Sequence, residues 1–203
     1  MYVAVIGATG NVGSRIVEEL LRRGHRVRAV VRRDGALAAR PDLDVVRADA
    51  GDRAALARAL EGVDAAVSAV KFLQSDPAVL IGAVKDAGVP RYLVVGGAGS
   101  LEVAPGQRLV DQPFFHAEWK PEALGGAAFL EALRAEPDLD WTFLSPSALF
   151  VPGERTGVFR LGDDQLLTAA DGKSSISFED YAVALVDELE TPQRRRRRFT
   201  VGY

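Results

Sequence analysis

Short apolar runs alternate along this chain with longer stretches whose apolar residues recur at helical spacing. Residues 2–6 form an apolar run that ends at Gly7, too short for a helix and therefore a buried strand. In residues 11–23, Val12, Ile16, Val17, Leu20 and Leu21 share one helical face, and Gly24 ends the helix. Residues 26–31 alternate polar positions with Val27, Ala29 and Val31, as a strand does, and 44–47 read as another short strand. Residues 49–61 carry Ala55, Leu56, Ala59 and Leu60 at helical spacing before Gly62. A strand-like run at 63–70, a helix at 77–87 stopped by Gly88 and a strand at 91–96 continue the alternation.

The second half is less regular. The aromatic-rich stretch 113–119 predicts a loop. Residues 121–135 predict a helix that offers Leu124, Ala127, Ala128, Leu130 and Leu133 to a sheet, and 141–144 a strand stopped by Pro146. Gly and Asp crowd 153–172, which predicts hairpins or loops. Residues 177–190 predict a helix capped by Ser177, with Asp180 giving a variant of the capping box, and 199–201 a final short strand. Such alternation implies a parallel sheet covered by helices on both faces, with right-handed crossovers. The expected fold is α/β: a Rossmann doubly wound parallel sheet of order 3-2-1-4-5-6, with room for a seventh strand. The 203 residues suit one such domain, in which 105–120 and 147–178 contribute a small substrate-side lobe.

Composition narrows the function classes. Hydrophobic residues make up 48% and charged residues 26%, an ordinary globular balance, and the net charge of −3 gives no reason to expect nucleic acid or an anionic membrane as partner. No run of about 18 apolar residues occurs, so no spanning helix is expected. The first residues lack a basic stretch and lead straight into a glycine turn, unlike a signal peptide. There are no cysteines, which excludes disulfides and thiolate chemistry and makes a reducing cytoplasm the simplest setting. The two histidines, His25 and His116, make no histidine-rich metal site, so no metal is expected. His25 reads as a solvated turn residue. The arginine run 194–198 reads as a solvated turn entering the last strand rather than an anion-binding patch.

The strongest chemical signal is the turn Gly7-Ala8-Thr9-Gly10-Asn11-Val12-Gly13 between the first strand and the first helix. Its spacing is G-x-x-G-x-x-G. Gly7 allows the tight turn, Gly10 lets a pyrophosphate approach the backbone, and Gly13 lets the helix pack closely on the sheet. The free N–H groups and the positive end of the helix dipole then face the phosphates of a dinucleotide. The end of the second strand selects which one. An acidic residue there would bind both ribose hydroxyls of NAD, but this chain has Arg32-Arg33. Arg32 suits a 2′-phosphate and can stack on adenine, which favours NADP(H). NAD(H) is the alternative, with both arginines solvated and Asp34 serving the ribose. Asp49, beside Ala50, either reaches the adenine edge or caps a helix. Ser68, Ala69 and Val70 end the fourth strand, where ligands of such sheets lie.

Several blocks together, VAVIGATGNVGSRIVEELLRRGHRVRAVVR, VVGGAGSLEV, LDWTFLSPSALF, SISFEDYAVALVDELE and FTVGY, resemble the atypical short-chain dehydrogenase/reductase superfamily. The closest branch is that of the NADH-flavin reductases, relatives of biliverdin reductase B and NmrA-like proteins, and the resemblance covers essentially the whole chain. It implies that Gly97 and Ala98, together with Pro146 and Ser147 after the sixth strand, lie along the cofactor and its nicotinamide. It also matches Ser100 to the superfamily's serine. The superfamily oxidises alcohols with a Tyr-x-x-x-Lys pair. Counting back from Leu139-Asp140-Trp141-Thr142 puts those positions near Glu122 and Gly126, and neither is competent. Lys120 has His116, not Tyr, four residues earlier, and Tyr181 lies far from the pattern.

Hydride transfer to a flavin needs no dedicated protein acid, because the charge delocalises over the ring. The leading expectation is therefore an NAD(P)H-dependent reductase of a flavin or similar planar acceptor, with flavin a substrate rather than a tightly held cofactor. Phe114, Phe115 and Trp119 are candidates for a planar platform, Ser147 and Phe150 for further substrate contact, and Ser100 and His116 for the catalytic positions, as hydrogen-bonding groups to the substrate. The plainer alternatives are core or lobe packing for Phe114 and Trp119, a loop histidine for His116 and a turn role for Ser100. A non-catalytic NADP sensor with a protein partner and an epimerase or dehydratase are the competing functions. By analogy the chain is a monomer or homodimer.

Overall fold

The computed structural model describes residues 1–33, 35, 37–38 and 40–203. The first half runs β1 (Tyr2–Ile6), α1 (Asn11–Arg22), β2 (Arg26–Val31), β3 (Leu43–Arg47), α2 (Arg53–Leu60), β4 (Ala65–Ser68), α3 (Pro77–Asp86) and β5 (Tyr92–Val95). The second half adds β6 (Glu102–Ala104), β7 (Gln107–Arg108), α4 (Lys120–Arg134), β8 (Trp141–Pro146), β9 (Leu149–Val151) and β10 (Arg160–Gly162). It ends with β11 (Ser175–Ser177), α5 (Phe178–Glu190) and β12 (Arg197–Gly202).

Eight strands form one sheet in the order β3-β2-β1-β4-β5-β8-β12-β10. All neighbours are parallel except β10, which pairs antiparallel with β12 at the edge. This is the expected Rossmann order, with β8 and β12 as sixth and seventh strands and β10 added from the segment that reads as hairpins or loops. Strand alternation splits the core in two. Val3 and Val5 face α1 and α5, among Ile16, Leu20, Leu185 and Leu189. Ala4 and Ile6 face α2, α3 and α4, among Leu56, Leu80, Phe129 and Leu133. Small ribbons, β6 with β7 and β9 with β11, flank the sheet. Among the described residues no helix is long and apolar enough to cross a membrane.

Some local expectations change. The helix expected from Asp49 starts four residues later, because Asp52 is its cap and accepts from Ala55 N–H at 3.0 Å. Asp49 instead accepts from Gly51 N–H at 2.8 Å in the turn before it. Ser177 does cap α5, accepting from Asp180 N–H at 2.9 Å. The Asp180 carboxylate does not reach back to close the capping box. It accepts from Thr156 Oγ1 at 2.5 Å and Gly157 N–H at 2.7 Å, tying the loop after β9 to α5.

His25 is buried, not solvated, and its Nε2 lies 2.7 Å from Glu190. Nor is the whole arginine run solvated. Arg197 opens β12 facing solvent, so alternation turns Arg198 inward, where it is 6% exposed. Its charge is met by Asp164, and Ser100 and Ser145 hydroxyls lie at 3.4 and 3.5 Å.

Candidate cofactor and acceptor site

Gly7 leaves β1 at φ +83°, a left-handed conformation that a side chain would strain. A Cβ there would also stand 2.7 Å from the Ala69 carbonyl oxygen. Gly13 is tighter still, since its Cβ would come 2.1 Å from Gly7 O. Gly10 N–H donates to Gly7 O at 3.0 Å and closes the turn. No side chain caps α1, and its first turn holds no acidic residue. Thr9, Gly10 and Asn11 are exposed, while Ala8 is buried beneath the turn and Val12 is half-buried against the core. A surface helix N-terminus that is neither capped nor neutralised by side chains, on a backbone with no room for Cβ atoms, fits a pyrophosphate.

The other cofactor candidates line the same ends of the strands. Arg32 and Arg33 are exposed just beyond β2. Asp34 lies outside the described residues. Asp49 is exposed, but Ala50 is buried in the core on the side of α2, α3 and α4. Ser68 is buried, whereas Ala69 and Val70 are half-buried and pack directly against Gly7.

Beside this strip opens a cleft of about 740 Å³. It gathers Gly97 and Ala98 after β5, Phe114, Phe115, His116 and Trp119 from the aromatic loop, and Pro146, Ser147 and Phe150 around β8 and β9. The chain passes from the glycine turn's neighbour Val70 straight into the cleft at Lys71. Phe114 and Trp119 are 68% and 59% exposed, which overturns their reading as core or lobe packing. Both line the cleft, Trp119 from the end of a single 3-10 turn, Ala117–Trp119, where the His116 and Trp119 rings lie 4.4 Å apart. Phe150 packs its ring 4.7 Å from those of Phe178 and Tyr181. Ser147 is fully buried, and its hydroxyl donates to Val201 O at 3.0 Å.

Ser100 is not among the cleft's walls. Its hydroxyl instead accepts from Arg198. Tyr181 donates to Leu144 O at 2.6 Å, and burial pushes its phenol well above the usual tyrosine range, so it is a structural donor. The side chains on the wall that sequence reasoning missed include Lys71, Phe72, Leu73, Gln74, Glu118 and Glu122. Glu122 accepts from the N–H groups of Phe72 and Leu73, partners some fifty positions away that no local pattern announces.

The NAD(P)H-binding family matches residues 7–192 of this chain. The YwnB protein of Bacillus subtilis is 39% identical over 211 residues, spanning 99% of this chain and 98% of its own. A solved structure of a Bacteroides thetaiotaomicron protein, named as a candidate epimerase, has a TM-score of 0.94 at 41% identity, covering 100% of this chain and 96% of the other. One from Streptococcus pneumoniae, named as a candidate NADH-flavin reductase, has a TM-score of 0.87 at 37% identity, covering 100% and 99%.

Proposed function

Because the chain belongs to the NAD(P)H-binding family, on the atypical short-chain dehydrogenase/reductase pattern, we propose that it is a reductase passing hydride from NADPH to a flavin or similar planar acceptor. The observation that carries this reading is the cleft itself, lined by aromatic residues and adjoining the glycine turn, with Glu122 on its wall near the position where the resemblance puts the superfamily's tyrosine.

The turn from Gly7 to Gly13 holds the pyrophosphate on backbone N–H groups, and Arg32 takes the 2′-phosphate. Ala69, Val70, Gly97, Ala98 and Pro146 keep the nicotinamide side close-walled with small or rigid residues. When bound, the cofactor supplies the hydride. Phe114, Phe115 and Trp119 hold a flat ring by stacking and shed water from it, which orients the acceptor. His116 offers a ring N–H to an acceptor carbonyl. The balance needs one proton for each hydride, and at an open cleft water provides it.

Anaerobic oxidation of NADPH and NADH with FMN, FAD, riboflavin and a quinone tests this reading. Turnover with at least one flat acceptor, faster with NADPH, is the expected result. Tight cofactor binding without turnover would instead support a nucleotide sensor, whose partner would meet the exposed apolar rim of Leu73, Phe114 and Trp119. An epimerase needs a protein acid and base at the substrate carbon, and the occupied carboxylate of Glu122 counts against it.

A further inference from the structure

Glu122 and Gly126, near which the resemblance puts the superfamily's proton-transfer pair, both engage one loop. Glu122 lies in the first turn of α4. One carboxylate oxygen accepts from Phe72 N–H at 2.7 Å and the other from Leu73 N–H at 3.0 Å. These donors open the single 3-10 turn Phe72–Gln74 after β4, which has no side-chain cap of its own. Charge-assisted bonds of this kind are about twice as strong as neutral ones.

One turn along α4, Gly126 leaves a notch. A Cβ there would stand 2.8 Å from Phe72 Cε2, and one on Gly125 would stand 3.0 Å from Phe72 Cβ. The Phe72 ring fills the notch and rests 5.7 Å from the Phe129 ring and 6.2 Å from that of Phe143. Backbone and ring of the same residue are thus gripped at the two positions together.

We infer that Glu122 and Gly126 form a latch that fixes the Phe72–Gln74 turn as an aromatic wall of the acceptor cleft. Glu122 is a positioning residue. Both its oxygens act as acceptors, whereas reduction of an isolated carbonyl needs a donor at the developing alkoxide. Glu122 thus gives an isolated ketone or aldehyde no acid from this wall, and the aromatic wall favours flat, conjugated acceptors. That selectivity rests on the reductase reading; the latch does not.

Amide hydrogen exchange on the intact protein reads the latch. In Glu122→Gln the Phe72 and Leu73 amides should exchange about tenfold faster or more, while α4 amides from Phe129 onward keep their rates. Unchanged exchange at both amides overturns the latch. Steady-state kinetics reads its role. Glu122→Gln and Gly126→Ala disturb the wall from two sides, so each should raise the acceptor KM about fivefold or more, with the NADPH KM moving less than about twofold. A loss confined to kcat, together with disappearance of a limb of the wild-type pH profile, would make Glu122 a proton donor and sink the proposal. If the wild type turns over no acceptor, only the reductase reading fails, and exchange still decides the latch.

Discussion

Arg32 stands exposed just past β2, on the side of the sheet where the glycine turn opens. A guanidinium there pairs with a 2′-phosphate, and a carboxylate repels it. Arg32→Asp should weaken NADP binding about tenfold to a hundredfold, about 1.4 to 3 kcal/mol, and leave NAD binding unchanged or tighter. Calorimetric titration of both nucleotides checks this; equal losses would mean the variant has disturbed the turn rather than the selectivity. Single residues were legible where their signal is local. Gly7, Gly10 and Gly13 could be assigned backbone roles from spacing alone. Ser100, His25 and Arg198 could not, because Arg198, Asp164 and Glu190 reach them from distant parts of the chain.

At the scale of elements, the periodicity located every α-helix and every strand of the parallel sheet among the described residues, and missed the short 3-10 turns such as Phe72–Gln74. Asp49 and Asp52 are both acceptable caps by type, and only the path of the chain after β3 decides for Asp52. Ser177 is the clearest cap. Its Oγ accepts from Asp180 N–H at 2.9 Å and donates to Glu154 O at 2.9 Å. Ser177→Ala should cost about 1 to 2 kcal/mol, read as a lower urea midpoint with an unchanged slope. A drop below about 0.3 kcal/mol would show that the cap is not limiting. The short strand β10 had no periodic signature, since three residues at a sheet edge leave too little pattern to detect.

Across the whole molecule, Glu19 ties α1 to the loop after β9, and its partner Arg23 at the end of α1 reaches Asp187 and Glu190 of α5. Glu19 is 3% exposed on α1 and bonds Arg155 of the loop after β9 at 2.7 and 2.8 Å and Arg23 at 2.7 Å. The Arg155 hydrogen bonds, with help from Arg23, hold its carboxyl down from 4.5 to about 2 against the opposing effect of burial. A depressed carboxyl stabilises the fold above its unfolded value of 4.5, and that contribution fades as pH falls from 4.5 through about 2. The melting temperature should fall across this window, and less steeply in Glu19→Gln. That variant should itself lose about 2 kcal/mol at neutral pH. Parallel slopes for the two proteins would remove Glu19 from the acid transition. The sequence alone determined the order of elements, the parallel sheet and the dinucleotide turn, because hydrophobic period and glycine spacing are written within a few residues of one another. Only the tertiary structure decided that Glu122 grips Phe72, that Arg198 goes inside, and that Phe114, Phe115 and Trp119 line a cleft with Phe72 and Pro146. Those outcomes depend on side chains brought together by crossovers, and a pairing across fifty or more residues leaves no local trace.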